Sequence, residues 1–327
     1  MTGEAASAVR VVLTRHLPEP AMAPLRRGFA TWRHAQDRAL TATELTAAAR
    51  AQRAEVLVVM AMDRIDAALI ASLPDTVRVI ATYSVGHEHI DLGAARARGI
   101  AVLSTPDVLS DAVADMAMLL MLGAARRARE GTALLEERRW TGWCPMQLIG
   151  REVSGARLGI LGMGRIGRAI ARRAGHGFGM AIHYHNRTRL DAAREDGATH
   201  HATLGGLLAA SDFLVLAAPA SAETRGVLDA AAIAALPDGA VVVNIARGAL
   251  IDDAALIAAL RSGKLAAAGL DVFDNEPAID PGYLTLPNVF LQPHQGSSTI
   301  ETRVRMAEML LDSVARTLAG EIVANRL

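Results

Sequence analysis

Residues 158–167 read LGILGMGRIG, and they are the strongest indication of the fold class of the chain. An apolar run, Leu158–Leu161, leads into the pattern G-x-G-x-x-G formed by Gly162, Gly164 and Gly167. In a dinucleotide-binding fold these glycines permit a tight turn, close approach of the backbone to a pyrophosphate, and close helix–strand packing. The pattern alone is weak, since an ordinary glycine-rich turn matches it. The strand before it and a helix predicted over Arg168–Ala174 favour the dinucleotide site, because a helix N-terminus binds phosphate.

The segment after the next predicted strand indicates which dinucleotide binds. An NAD site usually places Asp or Glu there, about 20 residues on, to accept a hydrogen bond from the ribose 2′-OH. This chain has Asn186 instead, followed by Arg187, Thr188 and Arg189. Guanidinium groups pair well with phosphate, although arginines in this loop could also be merely solvated. The sequence therefore predicts that NADP (NADPH) is the preferred cofactor, with NAD as the alternative.

Short β-branched runs alternate with helical patterns along the chain, which is typical of a doubly wound α/β fold. The first series of predicted strands is Val9–Leu13, Val56–Met60, Val77–Ala81 and Ala101–Leu103. Predicted helices between and after them are Pro20–Arg27, Thr43–Ala51, Asp63–Ser72 and a long apolar helix from Thr105 to about Arg127. The second series comprises Leu158–Leu161, Ala181–Tyr184, Phe213–Ala217, Ala240–Asn244, Ala268–Val272 and Val289–Gln292, before a last helix, Glu301–Leu318. This order suggests a nucleotide domain inserted into a discontinuous first domain.

Composition limits the kind of protein further. The 327 residues correspond to about two domains of roughly 150 residues. Lys and Arg (34) balance Asp and Glu (34), so charge gives no reason to expect nucleic acid or an anionic membrane as a partner. The single cysteine, Cys144, excludes an internal disulfide and a cysteine-based zinc site. We see no signal-peptide pattern in residues 1–15 and no apolar run of membrane-spanning length, and we expect a cytoplasmic protein without a metal.

Three segments in the second half carry groups suited to reducing a keto acid. They contain Arg247, Glu276 and His294. The reaction needs a cation for the substrate carboxylate, a proton donor for the developing alkoxide, and a partner that keeps this donor protonated. Each residue also has a plain structural explanation, as a strand cap, a loop carboxylate or a loop histidine. It is their combination with the glycine loop that points to catalysis.

Taken together, the motifs resemble those of the D-isomer-specific 2-hydroxyacid dehydrogenases, and among them the glyoxylate/hydroxypyruvate reductases. The resemblance spans nearly the whole chain and rests on Tyr83–Asp91, Thr105–Leu109, Trp140–Trp143, Gly162–Gly167, His185–Arg187, Asn244–Gly248, Leu270–Pro277 and Gln292–Ser297. It implies two Rossmann-like domains, a substrate-binding domain (1–103 plus 288–327) and an NAD(P)-binding domain (104–287), with the active site between them. It also implies a homodimer.

The resemblance further implies a role for each matching residue. Arg247 binds the substrate carboxylate and carbonyl, His294 is the acid/base, and Glu276 supports His294 as a hydrogen-bond partner. The implied cofactor-binding residues are Gly162, Met163, Gly164, Arg165, Ile166, Gly167, Asn186, Arg187, Thr188, Ala218, Pro219, Ile245, Ala246, Asp271, His294 and Gly296, with Asp271 facing the nicotinamide amide. The implied substrate-binding residues are Met62, Ser84, Val85, Gly86, Trp143, Arg247, His294 and Ser297. In some reductases the position matching Trp143 reaches the partner's active site.

Other members of this superfamily remain alternatives. A 3-phosphoglycerate dehydrogenase-like enzyme shares the scaffold, but its acidic residue after the second strand is absent here. The C-terminal-binding-protein corepressors have the same fold and the same catalytic-type residues without serving as metabolic enzymes. Gln295 stands where Ile, Leu or Thr is commoner, and Gln292 lies nearby, so the identity of the keto acid stays open.

Overall fold

A computed structural model of the chain describes residues 8–327. Contacts divide the chain into two compact units: one runs up to Leu109 and resumes over Ser297–Leu327, and the other is Ser110–Gly296. The sequence-based junctions, at residues 104 and 288, lie six and nine residues earlier. Residues 1–7, part of the first predicted domain and of the segment expected to lack a leader, lie outside the described residues.

The first unit is built on a parallel five-stranded sheet in the order β2-β1-β3-β4-β5 within the described residues. Its elements are β1 (Val9–Leu13), α1 (Glu19–Gly28), β2 (Phe29–Arg33), α2 (Ala42–Ala51), β3 (Val56–Val59), α3 (Ala67–Ser72), β4 (Val79–Thr82), α4 (Leu92–Ala97), β5 (Ala101–Leu103) and α12 (Ile300–Leu318). Strand β2 is absent from the sequence-based prediction. It is a half-exposed edge strand that follows α1 directly, so it has neither a long apolar run nor a preceding turn.

Side-chain caps fix where the helices of this unit begin. Thr41 and Glu44 form a reciprocal capping box at the start of α2. Asp66 accepts a hydrogen bond from the Leu69 N–H, so α3 starts at Ala67 and not at Asp63 as predicted. The helical periodicity of the sequence continues upstream of the Asp66 cap, so the predicted helix began too early.

The second unit carries a seven-stranded sheet in the order β12-β11-β10-β9-β6-β7-β8, with every neighbouring pair parallel in the part that the structure describes. Its strands are β6 (Arg157–Leu161), β7 (Ala181–His185), β8 (Thr199–His200), β9 (Phe213–Leu216), β10 (Ala240–Asn244), β11 (Leu265–Leu270) and β12 (Val289–Leu291). Its α-helices are α5 (Ser110–Ala125), α6 (Ala128–Glu136), α7 (Arg165–Arg172), α8 (Ala192–Glu195), α9 (Leu204–Ala209), α10 (Ala230–Ala235) and α11 (Asp253–Ser262). The chain leaves β6 in one direction to β7 and returns to β9 on its other side. The switch point of this doubly wound sheet therefore lies beside β6, and ligands bind at the carboxyl ends of such strands.

The starts of three elements in the second unit differ from the sequence-based prediction by three residues or more. Helix α7 starts at Arg165, directly after its N-cap Gly164, where we expected Arg168. Helix α5 starts at Ser110 and not at Thr105, because Asp107 has a left-handed backbone (φ 70°) and Val108 N–H bonds back to Pro106 O in a turn. Strand β11 begins at Leu265 and ends at Leu270, where we expected Ala268–Val272. Its alanine-rich start gives little strand signal. The predicted fold class, two Rossmann-like α/β units, is confirmed.

Candidate active site

The glycine loop joins β6 to α7 at the switch point of the second sheet. Gly162 has φ 97°, and a Cβ there would stand 2.5 Å from Ala218 N, so only glycine fits this turn. A Cβ at Gly164 would meet no heavy atom within 4 Å, which leaves open space beside the loop. Gly164 is also the N-cap of α7 and provides no side-chain cap, so the first turn of this helix, with Arg165 and Ile166, begins directly at the loop. The N–H groups and the positive dipole end of a helix N-terminus favour a phosphate. The loop therefore fits a dinucleotide pyrophosphate.

The loop after β7 lies next to the glycine loop. Asn186 Oδ1 accepts a hydrogen bond from Met163 N–H at 2.7 Å, which ties the two loops together. Arg187 and Thr188 are exposed. The charge of Arg187 contributes, after the stronger hydrogen bond from Ser221, to lowering the pKa of Glu223. Arg187 is thus an exposed cation beside the nucleotide-binding edge.

Arg189 has a different environment from Arg187. Its guanidinium forms a bidentate pair with Glu195, with nitrogen–oxygen distances of 2.8 and 3.1 Å. Tyr184 OH donates to the same carboxylate at 2.6 Å. The hydrogen bond from Arg189, helped by that from Tyr184, lowers the pKa of Glu195 to about 2. Arg189 therefore holds the loop together, and Arg187 is the better placed cation for a cofactor phosphate.

The turns after β9 and β10 line the same edge of the sheet. Ala218 and Pro219 follow β9, while Ile245 and Ala246 follow β10. Ala218, Ile245 and Ala246 are buried. Small and apolar surfaces at these strand ends suit a flat ring system.

Arg247 is held by a turn that begins at Asn244, a residue to which the sequence analysis gave no role in the site. Asn244, fully buried at the end of β10, accepts a hydrogen bond from Ala246 N–H at 3.0 Å and donates to Arg247 O at 2.9 Å. A Cβ at Gly248 would stand 1.8 Å from the carbonyl carbon of Phe273, so the Arg247 turn packs directly on the Phe273–Asp274 backbone. A buried polar residue directly after the Val241–Val243 run was the available signal for Asn244.

Glu276 and His294 are in direct contact. His294 Nδ1 lies 2.7 Å from Glu276 Oε2, and Glu276 Oε1 accepts Phe273 N–H at 2.8 Å. Burial raises the pKa of Glu276, but the hydrogen bonds from His294 and Phe273 and the positive charge of Arg247 outweigh it and leave that pKa below its ordinary value. Glu276 is therefore a carboxylate at neutral pH. Because Nδ1 faces Glu276, Nε2 of His294 is the nitrogen left to meet a ligand.

Asp271 fixes the loop that carries His294. Its two carboxylate oxygens accept the N–H groups of Gln295 and Gly296 at 2.7 and 2.8 Å, and its carbonyl accepts His294 N–H at 2.8 Å. These bonds hold His294 in a left-handed conformation (φ 54°), which is uncommon outside glycine. Burial raises the pKa of Asp271 against these bonds. Each oxygen keeps a further lone pair, so contact with the nicotinamide amide remains a proposal.

The first unit contains five of the predicted substrate residues. Met62 and Val85 are exposed, and Ser84 and Gly86 are half-buried. Over the described residues, the N–H groups of Val85 and Gly86 meet no protein acceptor, so this loop offers two backbone donors. The hydroxyl of Ser84 donates to Gly86 O at 2.7 Å, within its own loop. Ser297, half-buried, precedes α12 and accepts Thr299 N–H through its carbonyl.

Trp143 is not gathered with the other site residues of the second unit. It is 84% exposed, in a segment with other exposed apolar side chains.

Within residues 8–327 no cluster of His, Cys, Asp and Glu is arranged to hold a metal ion. Across the same residues, no helix combines the length and apolarity needed to cross a membrane.

Comparison with known proteins defines the family. The profile of the D-isomer specific 2-hydroxyacid dehydrogenase NAD binding domain matches residues 118–296. The chain is 41% identical to a glycerate dehydrogenase of Hyphomicrobium methylovorum over 95% of this chain and 96% of that protein. It is 39% identical to a glyoxylate reductase of Thermococcus gammatolerans over 96% and 94% of the two chains. The chain therefore belongs to the D-isomer specific 2-hydroxyacid dehydrogenase family and is an NAD(P)-dependent dehydrogenase.

Solved structures agree with this assignment. A Polaromonas protein described as a D-isomer specific 2-hydroxyacid dehydrogenase, NAD-binding, is 51% identical and matches with a TM-score of 0.93 over 98% of this chain and 99% of its own. The NADPH-dependent glyoxylate/hydroxypyruvate reductase of Sinorhizobium meliloti, solved with NADP and malonate, is 33% identical, with a TM-score of 0.86 over 98% and 97% of the two chains. The predicted family is confirmed.

Proposed function

We propose that this chain reduces a small 2-keto acid of the glyoxylate/hydroxypyruvate type to the D-2-hydroxy acid, with NADPH as its preferred cofactor. The observation that carries the proposal is the 2.7 Å contact between His294 Nδ1 and Glu276 Oε2. The positive charge of Arg247 is close enough to this pair to help lower the pKa of Glu276. The names of the glyoxylate reductase and glycerate dehydrogenase relatives support the substrate class.

In this proposal His294 supplies the proton of the reaction. When bound, the reduced nicotinamide supplies a hydride to the carbonyl carbon of the keto acid. His294, as the imidazolium, donates its Nε2 proton to the developing alkoxide, while the Glu276 carboxylate at Nδ1 orients the ring and stabilises its positive charge. In the reverse direction the neutral ring accepts the hydroxyl proton.

Two groups of donors hold the substrate carboxylate and carbonyl. Arg247 provides a planar guanidinium that matches a carboxylate in a bidentate manner. The N–H groups of Val85 and Gly86 add uncharged donors. In this proposal the substrate side chain is bordered by Met62, by Ser297 and, from a second copy of the chain, by Trp143.

The cofactor preference rests on the loop after β7. Asn186 removes the carboxylate that would repel a 2′-phosphate, and the exposed Arg187 and Thr188 provide a cation and a hydroxyl for it. One relative, from S. meliloti, is described as NADPH-dependent and was solved with NADP. NAD is the second cofactor that this loop leaves room for.

A substrate panel tests the proposed function. Glyoxylate, hydroxypyruvate, pyruvate and 3-phosphohydroxypyruvate are each assayed with NADPH and with NADH, by loss of absorbance at the nicotinamide band. We expect the highest kcat/KM for glyoxylate or hydroxypyruvate with NADPH. A preference for the phosphorylated substrate, or no turnover with any of the four, would overturn the proposal.

Replacing Arg247 with lysine tests whether Arg247 binds the substrate carboxylate. Lysine keeps the charge but loses the planar fork, so we expect KM for the keto acid to rise at least about tenfold and kcat to fall. The matched control is Arg194→Lys, at an exposed arginine paired with Asp191, which leaves both constants unchanged. Wild-type constants in Arg247→Lys would remove Arg247 from substrate binding.

We also propose that the chain is a homodimer. Large apolar side chains are exposed along one short segment of the second unit, namely Leu135, Trp140, Trp143, Met146 and Ile149. Exposed apolar groups concentrated in this way mark an interaction surface, and a second copy is the partner that the resemblance implies.

Light scattering should give about twice the 34.4 kDa chain mass, and the double variant Trp143→Ser, Met146→Asp should give monomers. Ile322→Asp, at an exposed isoleucine of the first unit, is the control. A wild-type monomer at micromolar concentration would refute the dimer.

A further inference from the structure

A chain of side-chain hydrogen bonds runs beneath the loop that offers the Val85 and Gly86 amides. His89 Nε2 lies 3.1 Å from Thr82 Oγ1, Thr82 Oγ1 lies 2.6 Å from Ser84 Oγ, and Ser84 Oγ donates to Gly86 O at 2.7 Å. Thr82, the last residue of β4, is fully buried. All four residues belong to the first unit.

The carbonyl oxygen of Gly86, at the end of this series of hydrogen bonds, fixes the direction of every bond in the series. A carbonyl oxygen only accepts, so the single hydroxyl hydrogen of Ser84 is used on Gly86 O. The bond between Ser84 and Thr82 must then use the hydrogen of Thr82. Thr82 has no second hydrogen, so its contact with His89 requires a proton on His89 Nε2. The direction runs from His89 through Thr82 and Ser84 to Gly86 O.

The two ends of the loop are therefore held from within the protein. Thr105 N–H donates to Ser84 O at 2.9 Å. A trans peptide points its N–H opposite to its C=O, so this bond turns the Val85 N–H the other way. The bond from Ser84 Oγ to Gly86 O restricts the next peptide planes, and the Gly86 N–H lies between these two fixed points.

We propose that His89, Thr82 and Ser84 are positioning residues, which preorganise the Val85 and Gly86 amides for the substrate carboxylate. The inference rests on the proposed function, since it assumes that a carboxylate binds these amides. It also changes the role expected for Ser84, because the only hydroxyl hydrogen of this residue is committed to its own loop. Ser84 acts through the loop and does not donate to substrate.

Loosening the Val85 and Gly86 amides should affect KM and kcat differently. Loop amides hold the carboxylate equally in the ground state and the transition state, because this group does not react. Loosening them therefore raises KM for the keto acid with little change in kcat. A general loss of structure would lower kcat and weaken NADPH binding as well.

Three variants test this. Thr82→Val keeps the shape of the side chain but removes the hydroxyl, and should raise KM, and the Kd of oxalate measured by calorimetry on the NADPH-saturated protein, by about tenfold. Thr82→Ser restores the hydroxyl and should return both values to within about twofold of wild type. Thr76→Val is the matched control, because the buried Thr76 hydroxyl has no hydrogen-bond partner among the described residues, and it should leave both values unchanged.

The outcomes separate the inference from the proposed function. Wild-type KM and oxalate Kd in Thr82→Val, or equal losses in Thr82→Val and Thr82→Ser, would overturn the inference while the reductase activity stands. If Thr82→Val fails to fold, Ser84→Ala removes the donor to Gly86 O at a half-buried site and should show the same rise in KM. A wild-type protein that turns over no keto acid would instead refute the proposed function itself.

Discussion

Replacing His294 with alanine is expected to lower kcat by about 10²–10⁴-fold, because the variant has no group to protonate the developing alkoxide. The backbone of this position should stay in place, since Asp271 holds it through main-chain N–H groups that do not depend on the imidazole. His294 has a positive φ, which asparagine tolerates better than alanine, so His294→Asn is a second variant with less risk to the loop. Steady-state kinetics and the Kd of NADPH, measured by fluorescence, provide the comparison.

The control for this experiment is another exposed histidine. His176 lies in the helical turn Arg173–Gly177 that continues α7, and its Nε2 is 3.7 Å from Asp196 Oδ2. His176→Ala should retain wild-type kcat. Both His294 variants should bind NADPH normally and unfold as wild type does. Near-normal turnover in either variant would remove His294 from the chemistry.

Residues 186 and 187 should set the choice between NADPH and NADH. An aspartate at position 186 would face the 2′-phosphate across a few ångströms, which costs about 1–4 kcal/mol at effective dielectrics between water and a protein surface. With Asn186 and Arg187 in place, we expect kcat/KM to favour NADPH over NADH by roughly 10–1,000-fold, at about 1.4 kcal/mol per factor of ten. The double variant Asn186→Asp, Arg187→Ser should reverse most of this preference.

The structure supplies a discriminating control for that experiment. An aspartate at position 186 retains an oxygen for Met163 N–H, so the glycine loop should stay in place in the double variant. Arg189→Ser breaks the bidentate pair with Glu195 and should lower thermal stability without altering the NADPH/NADH ratio. Equal use of both cofactors by the wild type would mean that Arg187 faces solvent in the complex, and the NADPH preference would be wrong.

Features encoded by local sequence were predictable. The glycine loop, the strand before it and the helix after it follow from ten consecutive residues, because turn, strand and helix signals coincide there. Glu276 and His294 were predictable as a pair only through the family resemblance. Their contact joins positions 18 residues apart, on loops following β11 and β12.

Features that depend on distant contacts were missed. Asn244 looks like an ordinary strand end until its two bonds to the Arg247 turn are known. Arg187 and Arg189 look alike in the sequence, yet only Arg189 is paired with Glu195, through a helix that follows the loop. The Thr82–Ser84–His89 chain depends on how the loop after β4 folds back, and no periodicity reports that.

A deuterium-transfer experiment measures NADPH-dependent hydride transfer to a 2-keto acid. The protein is incubated with hydroxypyruvate and NADPH carrying deuterium at both C4 positions, and the product is analysed by mass spectrometry and chiral chromatography. We expect D-glycerate with one deuterium at C2, formed in equal amount to the NADPH consumed. Product without deuterium at C2, product of the L configuration, or no consumption of NADPH would contradict it.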